Sequence, residues 1–77
     1  MDIKAFQKTQ RELASTINQV IDTYWKDGID EAEMVNHIKT LYSLNSSKFK
    51  KDNTYTTILL QKCGKRRLEV VEQIIRK

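Results

Sequence analysis

The chain has 77 residues, with no proline, two glycines, one cysteine and a formal net charge of +4. That length allows one domain, residues 1–77, with one small core, and the lone Cys63 excludes an internal disulfide and an all-cysteine metal site. At 39% hydrophobic and 31% charged residues it is too apolar for a disordered tail, no apolar run nears the roughly 20 residues that span a bilayer, and no signal-peptide pattern precedes the first helix, so a soluble cytoplasmic protein with no membrane partner is expected.

Residues 2–26 are predicted as one long helix. Phe6, Gln10, Leu13, Ile17, Val20 and Tyr24 step by four and three, as a heptad seam does, and Ala14, Ile21 and Trp25 widen the stripe. Asp2 is the expected N-cap, and Gly28 the left-handed residue that stops the helix. At about 25 residues and ~1.5 Å each, this helix would outrun its shorter neighbours, leaving part of its stripe for a second copy of the chain.

The next helix, 31–44, announces its start. Asp30 and Glu33 read as a capping box and Ile29 and Met34 as a hydrophobic staple, with Met34, Val35, Ile38, Leu41 and Tyr42 on one face. Fraying is expected at Asn45-Ser46-Ser47. "SSKFKKDN" then reads as a loop, with Phe49 tacked to the core and Lys48, Lys50 and Lys51 exposed. A helix from about Thr54 is preferred there over a small hairpin through "NTYTT", although Thr and Tyr favour strands.

Were residues 54–76 one straight helix, Ile58, Leu59, Leu60 and Cys63 would lie about a quarter-turn from Leu68, Val71, Ile74 and Ile75. The mismatch falls at Gly64, so two helices, 54–62 and 65–76, are predicted on either side of it. The expected fold class is all-α: a compact bundle of about four helices with a long N-terminal helix and a candidate helix-turn-helix at the C-terminal end.

Candidates for chemistry are few. His37 is the only histidine, which leaves a zinc site within one chain without ligands. Cys63 stands between Lys62 and Lys65, which would lower its thiol pKa, but it reads better as a small residue packed at the helix break. Ser15, Ser46 and Ser47 have no activating partner in the pattern, and Gly28 and Gly64 make no phosphate loop. Capping accounts for part of the acidic cluster Asp27, Asp30, Glu31 and Glu33. The sequence therefore predicts no enzyme, no catalytic residue, no metal and no cofactor.

Charge is divided along the chain. Residues 1–45 hold five Lys/Arg against seven Asp/Glu, and residues 46–77 nine against three. Lys65-Arg66-Arg67 opens the last helix, at the end where the peptide dipoles disfavour cations. One Lys65–Glu69 pair at i,i+4 does not account for three of them. Phosphate would, and the leading reading is a small DNA-binding or DNA-associated regulator using Lys48, Lys50, Lys51, Lys62, Lys65, Arg66 and Arg67. Leu60, where a small residue helps helices cross, and Gln73, where an apolar one is usual, depart from the helix-turn-helix pattern. The alternative is a protein-binding inhibitor or adaptor acting on host machinery through the long helix, with Ile17, Tyr24 and Trp25 at the interface. A third reading is a homodimer seamed along that helix, the acidic and basic halves pairing internally.

The segments "QRELASTINQVIDTYWKDGIDEAEMVNHI" and "GKRRLEVVEQII" give the chain, over nearly its whole length, a resemblance. It resembles a family of very short, uncharacterised proteins of Gram-positive bacteria and their phages or mobile elements. The resemblance implies a bacterial cytoplasm and a link to mobile elements, and brings no ligand or functional residue.

Overall fold

The structure, a computed structural model, describes residues 1–76. Three helices, α1 (Gln10–Trp25), α2 (Glu31–Phe49) and α3 (Thr57–Ile75), pack around one core, with a two-stranded antiparallel hairpin, β1 (Lys50–Lys51) and β2 (Thr54–Tyr55), between the second and third. This corrects the expected four-helix, all-α bundle on three points, each with a local cause.

The first correction is the length of α1. The helix starts at Gln10, because Thr9 caps it: the Thr9 hydroxyl accepts from the Glu12 amide at 3.0 Å, and the Glu12 carboxylate accepts from the Lys8 amide at 3.2 Å. The first bond satisfies a donor that a helix start leaves orphaned, and the second ties the residue before the cap to the first turn. Residues 1–8 form a non-helical strap instead. Its anchor is Asn45 of α2, whose side-chain oxygen accepts from the buried Gln7 amide at 2.9 Å while its amide donates to the Ala5 carbonyl at 2.8 Å. Ile3 packs against the core from this strap, whereas Phe6, the first residue of the expected seam, is 58% exposed with the Lys48 ammonium 4.9 Å from its ring centroid. The rest of the stripe does become core: Leu13, Ala14, Ile17, Val20 and Ile21 are fully buried. Each of the larger side chains contributes about 1.5–3 kcal/mol by leaving water.

At its C-terminus α1 closes with Asp27 in the left-handed conformation (φ 62°), one residue earlier than expected. The Gly28 amide reaches back to the Thr23 carbonyl at 2.8 Å, and the Asp27 amide to Tyr24 at 3.0 Å. Gly28 is needed for proximity: a Cβ there would stand 2.7 Å from the Thr23 methyl.

The second correction lies at the end of α2. Asp30 caps the helix as its sequence predicts, accepting from the Glu33 amide at 2.8 Å. The helix then does not fray at residues 45–47. Asn45 bends it (φ −135°, ψ 27°) and it runs on to Phe49, which is fully buried with its ring edge-on to Tyr42, centroids 5.2 Å apart. Residues 50–55 are the hairpin, with Lys50 opposite Tyr55 and Lys51 opposite Thr54. Its two turn residues, Asp52 and Asn53, both adopt positive φ, 54° and 65°, the geometry that matches the twist of a two-residue hairpin and that short polar side chains tolerate. Thr56 ties the hairpin down, its amide donating to the Phe49 carbonyl at 3.0 Å and its hydroxyl to Lys48 at 3.1 Å.

The third correction concerns the candidate helix-turn-helix. Gly64 does interrupt the helical backbone (φ 80°, ψ 168°), where the sequence places the break, but the interruption is one residue long. A helix-turn-helix needs a turn of three or four residues to set its two helices at a wide angle. The break instead rotates the second arm so that Leu68, Val71 and Ile74 join Leu59 and Cys63 in the core.

Candidate interaction surface at the break in α3

A helix broken in mid-course leaves carbonyls without their intrahelical donors, and buried ones must find others. At Gly64 two side chains supply them. Asn18 of α1 donates through its side-chain amide to the Lys62 carbonyl at 2.8 Å, and Arg67 folds back to donate through Nη1 to the Cys63 carbonyl at 3.0 Å. The same guanidinium grips Asp22 of α1 with two parallel bonds, Nε to Oδ1 at 2.9 Å and Nη2 to Oδ2 at 3.0 Å. Such a fork is the strongest geometry an arginine and a carboxylate can adopt. The Asp22 carboxylate also places a negative charge beside the start of the second arm, which offsets the cost of a cation there.

Over this clamp lies Trp25, the only tryptophan and 43% exposed. The guanidinium carbons of Arg66 and Arg67 stand 5.5 and 5.7 Å from its ring centroid. Both are within the range at which the electron-rich face of an indole attracts a cation. Arg67 is thus held on three sides. Arg66 is exposed and has no acidic partner among the described residues. Tyr24 is partly buried against the core. Ile17 is fully buried and takes no part in a surface.

The seven cations expected to face one partner are divided among different surroundings. Lys48 covers Phe6. Lys50 pairs with Glu72 at 2.9 Å and lies 4.9 Å from the Tyr55 ring centroid. Lys51 is exposed on the hairpin, and Lys62 lies beside Arg11, Ser15 and Asn18. Successive residues of a helix turn by about 100°, so Lys65 faces a hollow lined by Leu60, Leu68 and Tyr55 while Arg66 and Arg67 face Trp25. The Lys65–Glu69 pair suggested by the spacing is not formed.

Two acidic residues hold the basic half in place. Glu72 accepts from the Tyr55 hydroxyl at 2.7 Å as well as from Lys50. Those bonds, the tyrosine's first, lower its pKa, while burial and the neighbouring carboxylate raise that of Tyr55. Asp22 is the other. Its contact with Arg67 spans 45 residues of chain, and no local pattern announces it.

Cys63 is buried at the break, its thiol pointing to the Ala14 carbonyl at 3.7 Å. Burial pushes its pKa up to about 11, against a smaller opposing pull from Arg67. The flanking lysines therefore do not activate it, and at neutral pH it is a thiol. Among the described residues no three His, Cys, Asp or Glu side chains group as metal ligands, and no helix is long and apolar enough to cross a membrane.

No curated protein and no solved structure matches the chain significantly. Over residues 4–76 the chain matches the model of a family described as a conserved hypothetical protein, and it belongs to that family.

Proposed function

We propose that this protein is a non-enzymatic protein-binding module, an inhibitor or adaptor, whose contact surface is Trp25 with Arg66 and Arg67 laid on it. The observation that carries this reading is the two-pronged Arg67–Asp22 clamp beneath a tryptophan that is 43% exposed. The clamp holds one guanidinium in place, and the ring attracts the second, before any partner arrives. Little conformational freedom then remains to be lost on binding, and Trp and Arg are the residue types that most often dominate interfaces. The partner surface that fits is an apolar depression for the indole edge with an acidic side chain for Arg66. The resemblance to short proteins of Gram-positive bacteria and their phages or mobile elements supplies a context, host machinery in the cytoplasm.

Nucleic acid as the partner keeps one supporting observation. Lys51, Lys62 and Lys65 have no acidic partner among the described residues. They stand in three different surroundings, which is a poor footing for one phosphate track.

One experiment separates the two. Bacterial proteins retained by the wild type are compared with those retained by Trp25→Ala and by Arg66→Glu, alongside duplex-DNA binding at low and moderate salt. The protein-binding reading expects a partner that both substitutions release, with the helical circular dichroism unchanged. DNA binding that weakens steeply with salt and survives Trp25→Ala would overturn it in favour of phosphate contacts.

A further inference from the structure

Away from the tryptophan surface, the outer side of the break carries an apolar hollow that the protein-binding reading does not use. Leu60, on the first arm of α3, is 48% exposed, and beside it Leu68 and Tyr55 floor the hollow. Its rim holds Lys65 and Glu69, one helical turn apart on the second arm, together with Glu72. Glu72 is already committed to Tyr55 and Lys50. Lys65 and Glu69 have no ion-pair partner among the described residues, not even each other. At Gly64, between the two arms, nothing lies within 4 Å of where a Cβ would stand, so another backbone has room to approach.

We propose that this face is a two-fold interface between two copies of the chain. Leu60 of each copy enters the hollow over Leu68 of the other, and Lys65 of each faces Glu69 of the other. Charge complementarity selects a second copy over a different protein. The rim carries both signs in sequence along one helical arm, and a two-fold axis perpendicular to that arm reverses its direction. The positive position of one copy therefore meets the negative position of the other, twice per dimer. A partner of a single sign would leave one of the two charges facing its like. The knob and the hollow are also adjacent on the same face, which a self-complementary surface requires. A core drawn from 77 residues is small, and burying Leu60 adds apolar contact that one copy alone lacks.

The test is sedimentation equilibrium from micromolar to near-millimolar protein, on the wild type, Leu60→Asp, Lys65→Glu and Glu69→Lys. Leu60 and both charges are exposed, so the variants should fold, and their circular dichroism checks it. The wild type is expected to show a monomer–dimer equilibrium and Leu60→Asp to be monomeric. Each charge reversal alone should weaken the dimer by about tenfold or more, since it faces like charges twice. Mixing Lys65→Glu with Glu69→Lys should restore dimers, because both contacts in the mixed species again join opposite signs. A wild type that stays monomeric throughout, a dimer indifferent to Leu60→Asp, or reversed-charge chains that fail to rescue each other would each overturn the proposal. None of these results bears on Trp25, so this interface and the partner surface stand or fall separately.

Discussion

Two helices bend in mid-course, α2 at Asn45 and α3 at Gly64, and the bends are held in opposite ways. Asn45 keeps a negative φ that does not call for glycine, and its own side chain secures the bend. It is buried and bonds the Gln7 amide and the Ala5 and Leu41 carbonyls. Gly64 contributes no side chain. Its φ of 80° with ψ of 168° belongs to a region that is essentially glycine's own, and the bend is secured from outside by Asn18 and Arg67. One bend therefore depends on what a side chain reaches, the other on what a backbone tolerates.

The comparison breaks most visibly at Asn45. Replacing it with Ala strands the buried Gln7 amide and two carbonyls, and should cost about 3 kcal/mol in urea unfolding. A loss below ~1 kcal/mol would mean that water takes over those bonds and that the strap is incidental. Gly64→Ala comes next, at about 2 kcal/mol by the same measurement, as backbone strain alone. The new methyl meets nothing within 4 Å, so no steric clash contributes. If the loss matched that of an ordinary surface Gly→Ala change, the conformation at residue 64 would not be the one described.

Asp22→Asn should cost less, about 1 kcal/mol or below, because both partners of the clamp are partly exposed and screened by solvent. Its informative readout is the fluorescence of Trp25, which should change as Arg67 loosens. The smallest effect is a titration. Tyr55→Phe removes the leading cause of the lowered Glu72 pKa, so that pKa should rise toward its ordinary value of 4.5, as followed by NMR. A carboxylate with a depressed pKa adds stability above its ordinary value and loses it as pH falls through the depressed one. The hairpin's hold on α3 should therefore survive to a lower pH in the wild type than in Tyr55→Phe.

What could be read in advance divides along the same line. The start of α2 was legible because Asp30 stands three residues before Glu33, whose amide it accepts from. The interruption at Gly64 was legible because the apolar stripe changes face there and glycine is a weak helix former. The start of α1 was present locally too, as Thr9 and Glu12, but a seam extended through Phe6 concealed it. The Asp52-Asn53 turn is equally local, but the apolar pattern that follows it favours a helix from about Thr54 over the hairpin. The bend at Asn45 had no local sign, since its partners Ala5 and Gln7 are about forty residues away. The candidate surface was half visible. Trp25, Arg66 and Arg67 stood out as residue types, while the clamp joining them depended on Asp22, one of seven acids in a half able to pair with the basic one, and only the fold shows which acid meets Arg67.

The clamp also sets a schedule for synthesis. α1 packs against α3, and the bonds from Asn18 to Lys62 and from Asp22 to Arg67 close loops of 44 and 45 residues. A ribosome adds about 5–20 residues per second, so the apolar face of α1 waits on the order of a few seconds for the helix that will cover it. During that interval Leu13, Ile17, Val20 and Ile21 are open to whatever else is near the exit tunnel. The face of α1 thus stays uncovered until the segment from Lys62 to Arg67 has been made and has emerged.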